Sequence, residues 1–166
     1  MPDQIQRQVP LYNQESVWDY PRPPRLEVCH KHLRVIFNGI EIVNSHTSYR
    51  ILETSHPPTY YISPDDLQLA YFHEVNQSSL CEWKGRASYY DITVHGKTAK
   101  QAAWFYKQPS APYQEIANYV ALYAHLMEAC YVNDEKVQAQ QGDFYGGWIT
   151  ADVVGPFKGA PGTWGW

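Results

Sequence analysis

Residues 33–43 constrain the fold more than any other stretch. Leu33 to Phe37 and Ile40 to Val43 are short apolar runs joined by Asn38-Gly39. A two-residue link of this kind closes a β-hairpin, because Asn and Gly both accept the positive φ that its turn demands. Side chains alternate across a strand, so Leu33, Val35 and Phe37 share one face and Ile40 and Ile42 share a face of the partner. Arg34 and Glu41 fall outside those sets. A chain containing this unit must add strands to it, since a lone hairpin cannot bury its apolar face.

Further strands are predicted at Ser48–Glu53, Thr59–Ile62, Leu69–Glu74, within Leu80–Val94 on either side of Gly85, and over Ala99–Tyr106. Cys130–Val132 and Lys136–Val137, linked through Asn133-Asp134, predict a second hairpin. Asn76–Ser79 reads as a loop and His95-Gly96 as a turn. Ser63-Pro64-Asp65-Asp66 has the cap and first-turn proline of a short helix. Tyr113–Asn118 adds one or two helical turns. The expectation is a mainly β domain of antiparallel sheets with one or two short helices. Residues 1–30 read as an extended N-terminal arm carrying Trp18, Tyr20 and Pro21–Arg25. Residues 31–141 form the β core, and residues 142–166 an ordered tail rich in Gly and aromatics.

At 166 residues the chain has the size of one ordinary domain. Its 14 Tyr and 6 Trp exceed what a core usually hides, and such rings combine contact area with a polar handle. A formal charge of -4, from 13 basic and 17 acidic residues, gives no basic footprint for nucleic acid. No apolar run approaches the length of a membrane span, and the N-terminus shows no secretory leader. Cys29, Cys81 and Cys130 are isolated, with no Cys-x-x-Cys pair, so no thiolate metal site is expected. These features together predict a cytoplasmic protein.

The candidate chemistry gathers in two stretches. Glu53, His56 and Lys84 offer a carboxylate, an imidazole and an ammonium, the groups needed for proton transfer or for holding an anion if they converge. His56 precedes Pro57 and is therefore biased toward an extended backbone at a loop edge. Each has a plainer reading: a histidine bonded to local backbone, a glutamate paired with Lys84 or an arginine, a solvated lysine. Tyr60, Cys81, Glu82, Tyr90, Trp104 and Tyr145 are expected to contact a ligand, with Tyr61 and Tyr89 also able to line a cleft. On a regular strand Glu82 and Lys84 would share one face and Cys81 and Trp83 the other. The four would then act together only if the strand is interrupted near Gly85. His30 and His32 lack further ligands for a metal, and Asp65-Asp66 reads better as a helix cap than as a metal-holding pair.

The runs Glu53–Pro58 and Cys81–Tyr90, together with Phe144–Trp148 and Val154–Gly159, resemble an uncharacterised bacterial family of unknown function that often carries a nucleotidyltransferase-like label. The likeness runs from about residue 15 to the end. It implies a single compact domain of the Mss4-like, or β-tent, type, whose wider relatives bind zinc or small ligands. The chain departs from those relatives by lacking paired Cys-x-x-Cys knuckles. It also departs at Tyr106–Pro109, where the family tends to Tyr-Pro-x-Pro, and at Leu122 and Ala124, where it tends to Phe and Pro. Neither a Gly-rich phosphate loop nor a carboxylate set for metal-assisted nucleotidyl transfer is present. The functional expectation is a domain that binds a small polar molecule, with room for hydrolase or transferase chemistry and no cofactor specified. The alternative is a non-enzymatic interaction or structural module, including a homo-oligomer.

Overall fold

In the computed structural model Asn38 and Gly39 take φ of 47° and 79°, and the strands they join pair antiparallel from Phe37–Ile40 to Leu33–Ser45. Residues 5–166 are described; residues 1–4 of the expected arm lie outside the described residues. One register shift interrupts this hairpin. Val35 pairs with Val43 and Ile36 with Glu41, so Ile42 is bulged, and Ile42 and Val43 are both buried rather than alternating.

The strands are β1 (Glu15–Ser16), β2 (Arg25–Cys29), β3 (Leu33–Phe37), β4 (Ile40–Ser45), β5 (Ser48–Leu52), β6 (Thr59–Ile62), β7 (Phe72–Cys81) and β8 (Gly85–Val94). They continue with β9 (Lys97–Tyr106), β10 (Val120–Leu122), β11 (Ala129–Val132), β12 (Glu135–Lys136), β13 (Gln138–Ala139), β14 (Trp148–Ile149) and β15 (Val153–Val154). Seven form one antiparallel sheet in the order β2-β5-β6-β10-β9-β8-β7, and four form a second in the order β12-β11-β3-β4. The chain is thus a single mainly β domain. Among the described strands the one parallel pair is β1 beside β15, and isolated parallel bridges join Tyr106 to Ala117 and Lys158 to Ala160.

The two sheets share one core. Tyr60 and Ile62 of β6, Ala103 and Phe105 of β9, and Val120 and Leu122 of β10 meet Leu33, Val35 and Phe37 of β3. Period-two alternation sends the intervening residues to the opposite face of the large sheet. There Tyr61, Trp104, Tyr106 and Ala121 form a second cluster with Ile51 and Ala87. No second sheet covers that face. The 111–116 turn and the tail border it instead, while Val17 and Tyr20 of the N-terminal segment pack on Leu52, on the other side of β5 from Ile51; this incomplete cover is what leaves room for a site.

Several expectations need correction. Helical structure among the described residues amounts to five short 3-10 segments, at Val17–Asp19, Pro64–Asp66, Leu69–Tyr71, Ala111–Ile116 and Ala124–Leu126. Ser63 Oγ accepts from the Asp65 N–H as its sequence suggests, but no apolar stripe follows to propagate a helix. Asn76–Ser79 is no loop: it lies within β7, with a register shift between Val75 and Ser78. Polar side chains are compatible with a strand there because β7 is an edge of its sheet. Within the expected arm, Arg25–Cys29 is the opposite edge strand, paired along β5.

The preceding segment is anchored by a buried arginine. Arg50, 8% exposed, holds both Glu15 carboxylate oxygens at 2.9 Å and donates through Nε to Glu27. Tyr20 adds a hydrogen bond to Glu15 at 2.8 Å. The Arg50 hydrogen bonds hold the Glu15 carboxyl below its ordinary value despite partial burial. Trp18 Nε1 donates to the Pro156 carbonyl at 2.9 Å and meets Trp166 edge-on at 5.4 Å. Arm and tail therefore pack on each other as well as on the sheet.

Candidate functional site

The half-covered face of the large sheet encloses a cavity of about 350 Å³, within the range of small-molecule pockets. Alternate residues of four strands form its floor: Tyr61, Trp104 with Tyr106, Ala87 with Tyr89, and Ser79 with Cys81. Trp104 Nε1 donates to Tyr61 Oη at 3.2 Å, and the Trp104 and Tyr123 rings lie 4.5 Å apart. Burial pushes the Tyr106 and Tyr123 hydroxyls well above the ordinary phenol range. At neutral pH these two are hydrogen-bonding phenols rather than acids.

Glu53 and His56 enter from the loop after β5. The His56 N–H donates to the Glu53 carbonyl at 3.0 Å, closing a tight turn in which Ser55 takes φ of 73°. The turn sets imidazole and carboxylate side by side, with His56 Nε2 3.6 Å from Glu53 Oε2. Arg22 lies 3.3 Å from the same oxygen. Burial first, then the positive charges of Lys158, Arg22 and Lys84, push the His56 pKa down to about 3. The ring is neutral throughout the physiological range.

Its tautomer follows from Gln140. Gln140 Oε1 accepts from the Gly147 N–H at 3.0 Å, which fixes the amide orientation. Its Nε2 donates to the Lys158 carbonyl at 2.7 Å and faces His56 Nδ1 at 3.1 Å. Nδ1 must accept there, so the ring proton resides on Nε2. His56 thus presents a donor to Glu53 and the cavity, and its one lone pair is already engaged.

Lys84 comes from the turn between β7 and β8. Residues 82–84 form the turn itself, since Cys81 pairs with Gly85. Strand alternation therefore does not divide them, and Cys81, Glu82, Trp83 and Lys84 all line the cavity. Ser110 clamps the turn, its N–H donating to the Lys84 carbonyl at 2.9 Å and its hydroxyl to the Trp83 carbonyl at 2.5 Å. Lys84 Nζ lies 6.0 Å from the Tyr61 ring centre. Burial works against its charge, but Tyr61, Cys81 and Glu53 favour it by more, and its pKa is held above the ordinary lysine value.

The tail supplies the remaining wall through Phe144, Tyr145, Gly146 and Lys158. Two glycines allow that approach. A Cβ on Gly146 would fall 2.1 Å from Trp104 Cη2, and one on Gly147 would fall 2.6 Å from Gln140 Oε1. Tyr145 packs against His56 at 5.4 Å, and Lys158 Nζ lies 5.8 Å from the Tyr145 ring centre.

Of the residues singled out from sequence, Glu53, His56, Cys81, Glu82, Lys84, Trp104 and Tyr145 all border this cavity. Tyr60 and Tyr90 do not. Tyr60 faces the inter-sheet core beside Trp148 at 5.4 Å, and Tyr90 stacks on Phe105 at 4.5 Å. Their sequence neighbours Tyr61 and Tyr89 take the cavity side. Sequence reasoning missed Gln140 and Lys158. Neither sits in a recognisable motif, and they meet His56 only because the tail folds back.

The model of a family described as a domain of unknown function (DUF427), and labelled NTP_transf_9, matches residues 25–133. The chain belongs to that family. No curated protein matches it. The DUF427 match contains the whole seven-stranded sheet, with Glu53, His56, the 81–84 turn and Trp104. It ends before Gln140, Tyr145 and Lys158, so the tail wall of the cavity lies beyond the matched residues.

Proposed function

We propose that this DUF427 protein binds a small polar molecule in the cavity, with Glu53, His56 and Lys84 as polar contacts and Trp104 and Tyr145 as apolar walls. One observation carries this reading: the 53–61, 79–89 and 140–158 stretches bring a carboxylate, an imidazole, two amines and a ring-lined floor to one hollow. A few polar groups set among aromatic walls is the usual composition of a small-ligand pocket.

Any acid–base step in this hollow falls to Glu53 rather than to His56. The His56 Nδ1 lone pair faces Gln140, which suits the ring to orienting Glu53 or donating to a ligand through Nε2. Nucleotidyl transfer, the chemistry of the family label, fits less well. It ordinarily relies on carboxylates that hold divalent metal beside phosphate. The inner carboxylate here is Glu53, bound to Arg22, while Glu82 is exposed at the rim. Among the described residues, no three His, Cys, Asp or Glu side chains gather as a metal site.

The test is a metabolite screen against the isotopically labelled protein, followed by resonance mapping. Binding should shift the Trp104 indole N–H and the backbone signals of His56 and Lys84 together. Hits that perturb only surface residues remote from Trp104, or a screen with no hits, would overturn the reading.

A further inference from the structure

The charges in the cavity are unbalanced in a way that specifies its ligand. Glu53 is engaged by Arg22 at 3.3 Å and stands beside His56 at 3.6 Å. Lys84 has no carboxylate ion-pair partner among the described residues. Lys158 donates to the main-chain oxygen of Trp166 at 3.3 Å, which leaves two of its three protons for other acceptors. Two ammonium groups from separate parts of the chain thus border a hollow whose single inner acid is already engaged by a guanidinium.

Lys84 is partly withdrawn from water, and a charge so placed is eased when something supplies the opposite one. Tyr61 and Cys81 line the cavity with Lys84, and Glu53 acts on it from beyond ion-pair distance. Both amines also bear on His56, a residue that borders the same cavity. An incoming anion would be attracted by both and could accept charge-assisted hydrogen bonds from each.

The walls add a second requirement. Tyr61, Tyr89, Trp104, Tyr106, Tyr123 and Tyr145 surround the space, presenting ring faces and edges that suit another flat ring.

From this geometry we infer that the ligand is a small ring-bearing anion, an aromatic or heterocyclic carboxylate or phosphate, whose charged group is held by Lys84 and Lys158 and whose ring packs among Trp104 and the tyrosines. This rests on the cavity being a ligand site. It adds the ligand's charge and shape.

The experiment titrates the intact protein with benzoate, phenyl phosphate and the neutral benzamide, following tryptophan fluorescence and the Trp104 indole N–H resonance. At least one anion should bind on the order of tenfold more tightly than benzamide, the scale of one charge-assisted hydrogen bond. Whichever anion binds better identifies the head group as carboxylate or phosphate. Lys84→Met should abolish the preference of anion over benzamide, and Lys158→Met provides the same comparison if the first variant fails to fold. Benzamide binding as tightly as both anions would overturn the inference and leave the small-molecule reading intact. If no probe of either charge moves the Trp104 signal, both fall.

Discussion

The two faces of the seven-stranded sheet are made by alternate residues of the same strands, yet one is dry and the other hollow. On β9, Ala103 and Phe105 point to the inter-sheet core while Trp104 and Tyr106 point to the cavity. The dry face meets a second sheet whose Leu33, Val35 and Phe37 interlock with it. The other face is bordered by the 111–116 turn and the tail rather than by a packed sheet, and such cover leaves gaps. Each face also carries a deeply placed tryptophan. Trp148, 1% exposed, donates to the Leu122 carbonyl at 3.0 Å in a filled core, whereas Trp104 donates to a tyrosine at the edge of the open hollow. A regular covering layer makes stability, and an irregular one leaves room for a ligand.

The largest expected effect separates those two indoles. Trp148→Ala removes a side chain from close packing and leaves a dry void, so it should cost about 3–5 kcal/mol. Trp104→Ala enlarges a space that is already open and should cost about half as much, because the cavity penalty is largely absent. Urea denaturation of both variants measures the difference. Equal losses would show that the two faces are packed alike, and the contrast would fail.

The Asn38-Gly39 hairpin and most strands were legible because turn chemistry and apolar alternation are local properties; the 82–84 turn was not, because Glu82-Trp83-Lys84 carries no turn residue before Gly85 and reads as strand. The phase of the Tyr-Tyr pairs was not. In Tyr60-Tyr61 and Tyr89-Tyr90 both positions are aromatic, so the period of two is present but does not indicate which ring faces the core. Cover decides that, and cover is a long-range property. The same limit hid Gln140 and Lys158, of which Gln140 lies 84 residues from His56 in the chain and Lys158 a further 18. Glu53, His56 and Lys84 stood out because varied polar groups bordered by rings are unusual in strands. The resemblance-based expectation of an Mss4-like form is matched here only at the coarser level of a mainly β domain.

A smaller effect concerns protons on the hollow face. His56 has a folded-state pKa of about 3 against an ordinary 6.5. Between those values the unfolded chain takes up a proton that the folded chain refuses, so stability falls as pH falls through that window and is unaffected above it. From pH 6.5 to pH 4.5 the loss should reach about 2–3 kcal/mol. His56→Gln should remove this part of the acid slope, read from urea midpoints at several pH values. An unchanged slope would mean that the ring is hydrated and charges freely, contrary to its packing beneath Tyr145.

The finest distinction lies in how closely the tail approaches the sheet. Gly146 is not among the positive-φ glycines, and what an alanine there would meet is the Trp104 ring, 2.1 Å from the added Cβ. Relief requires the indole to rotate into the cavity or the tail to lift, each at a cost of about 1–2 kcal/mol. Either response alters the hollow and leaves the inter-sheet core untouched. Gly146→Ala should therefore weaken ligand binding and shift the Trp104 indole resonance while the Trp148 resonance stays in place. Gly39→Ala makes the useful control, since a Cβ there meets no atom within 4 Å and the position lies in the hairpin turn at φ 79°. Its strain acts on the turn and not on the site. If Gly146→Ala moved both indole signals equally, the two faces would be mechanically coupled, and the tail would have to be regarded as part of the core.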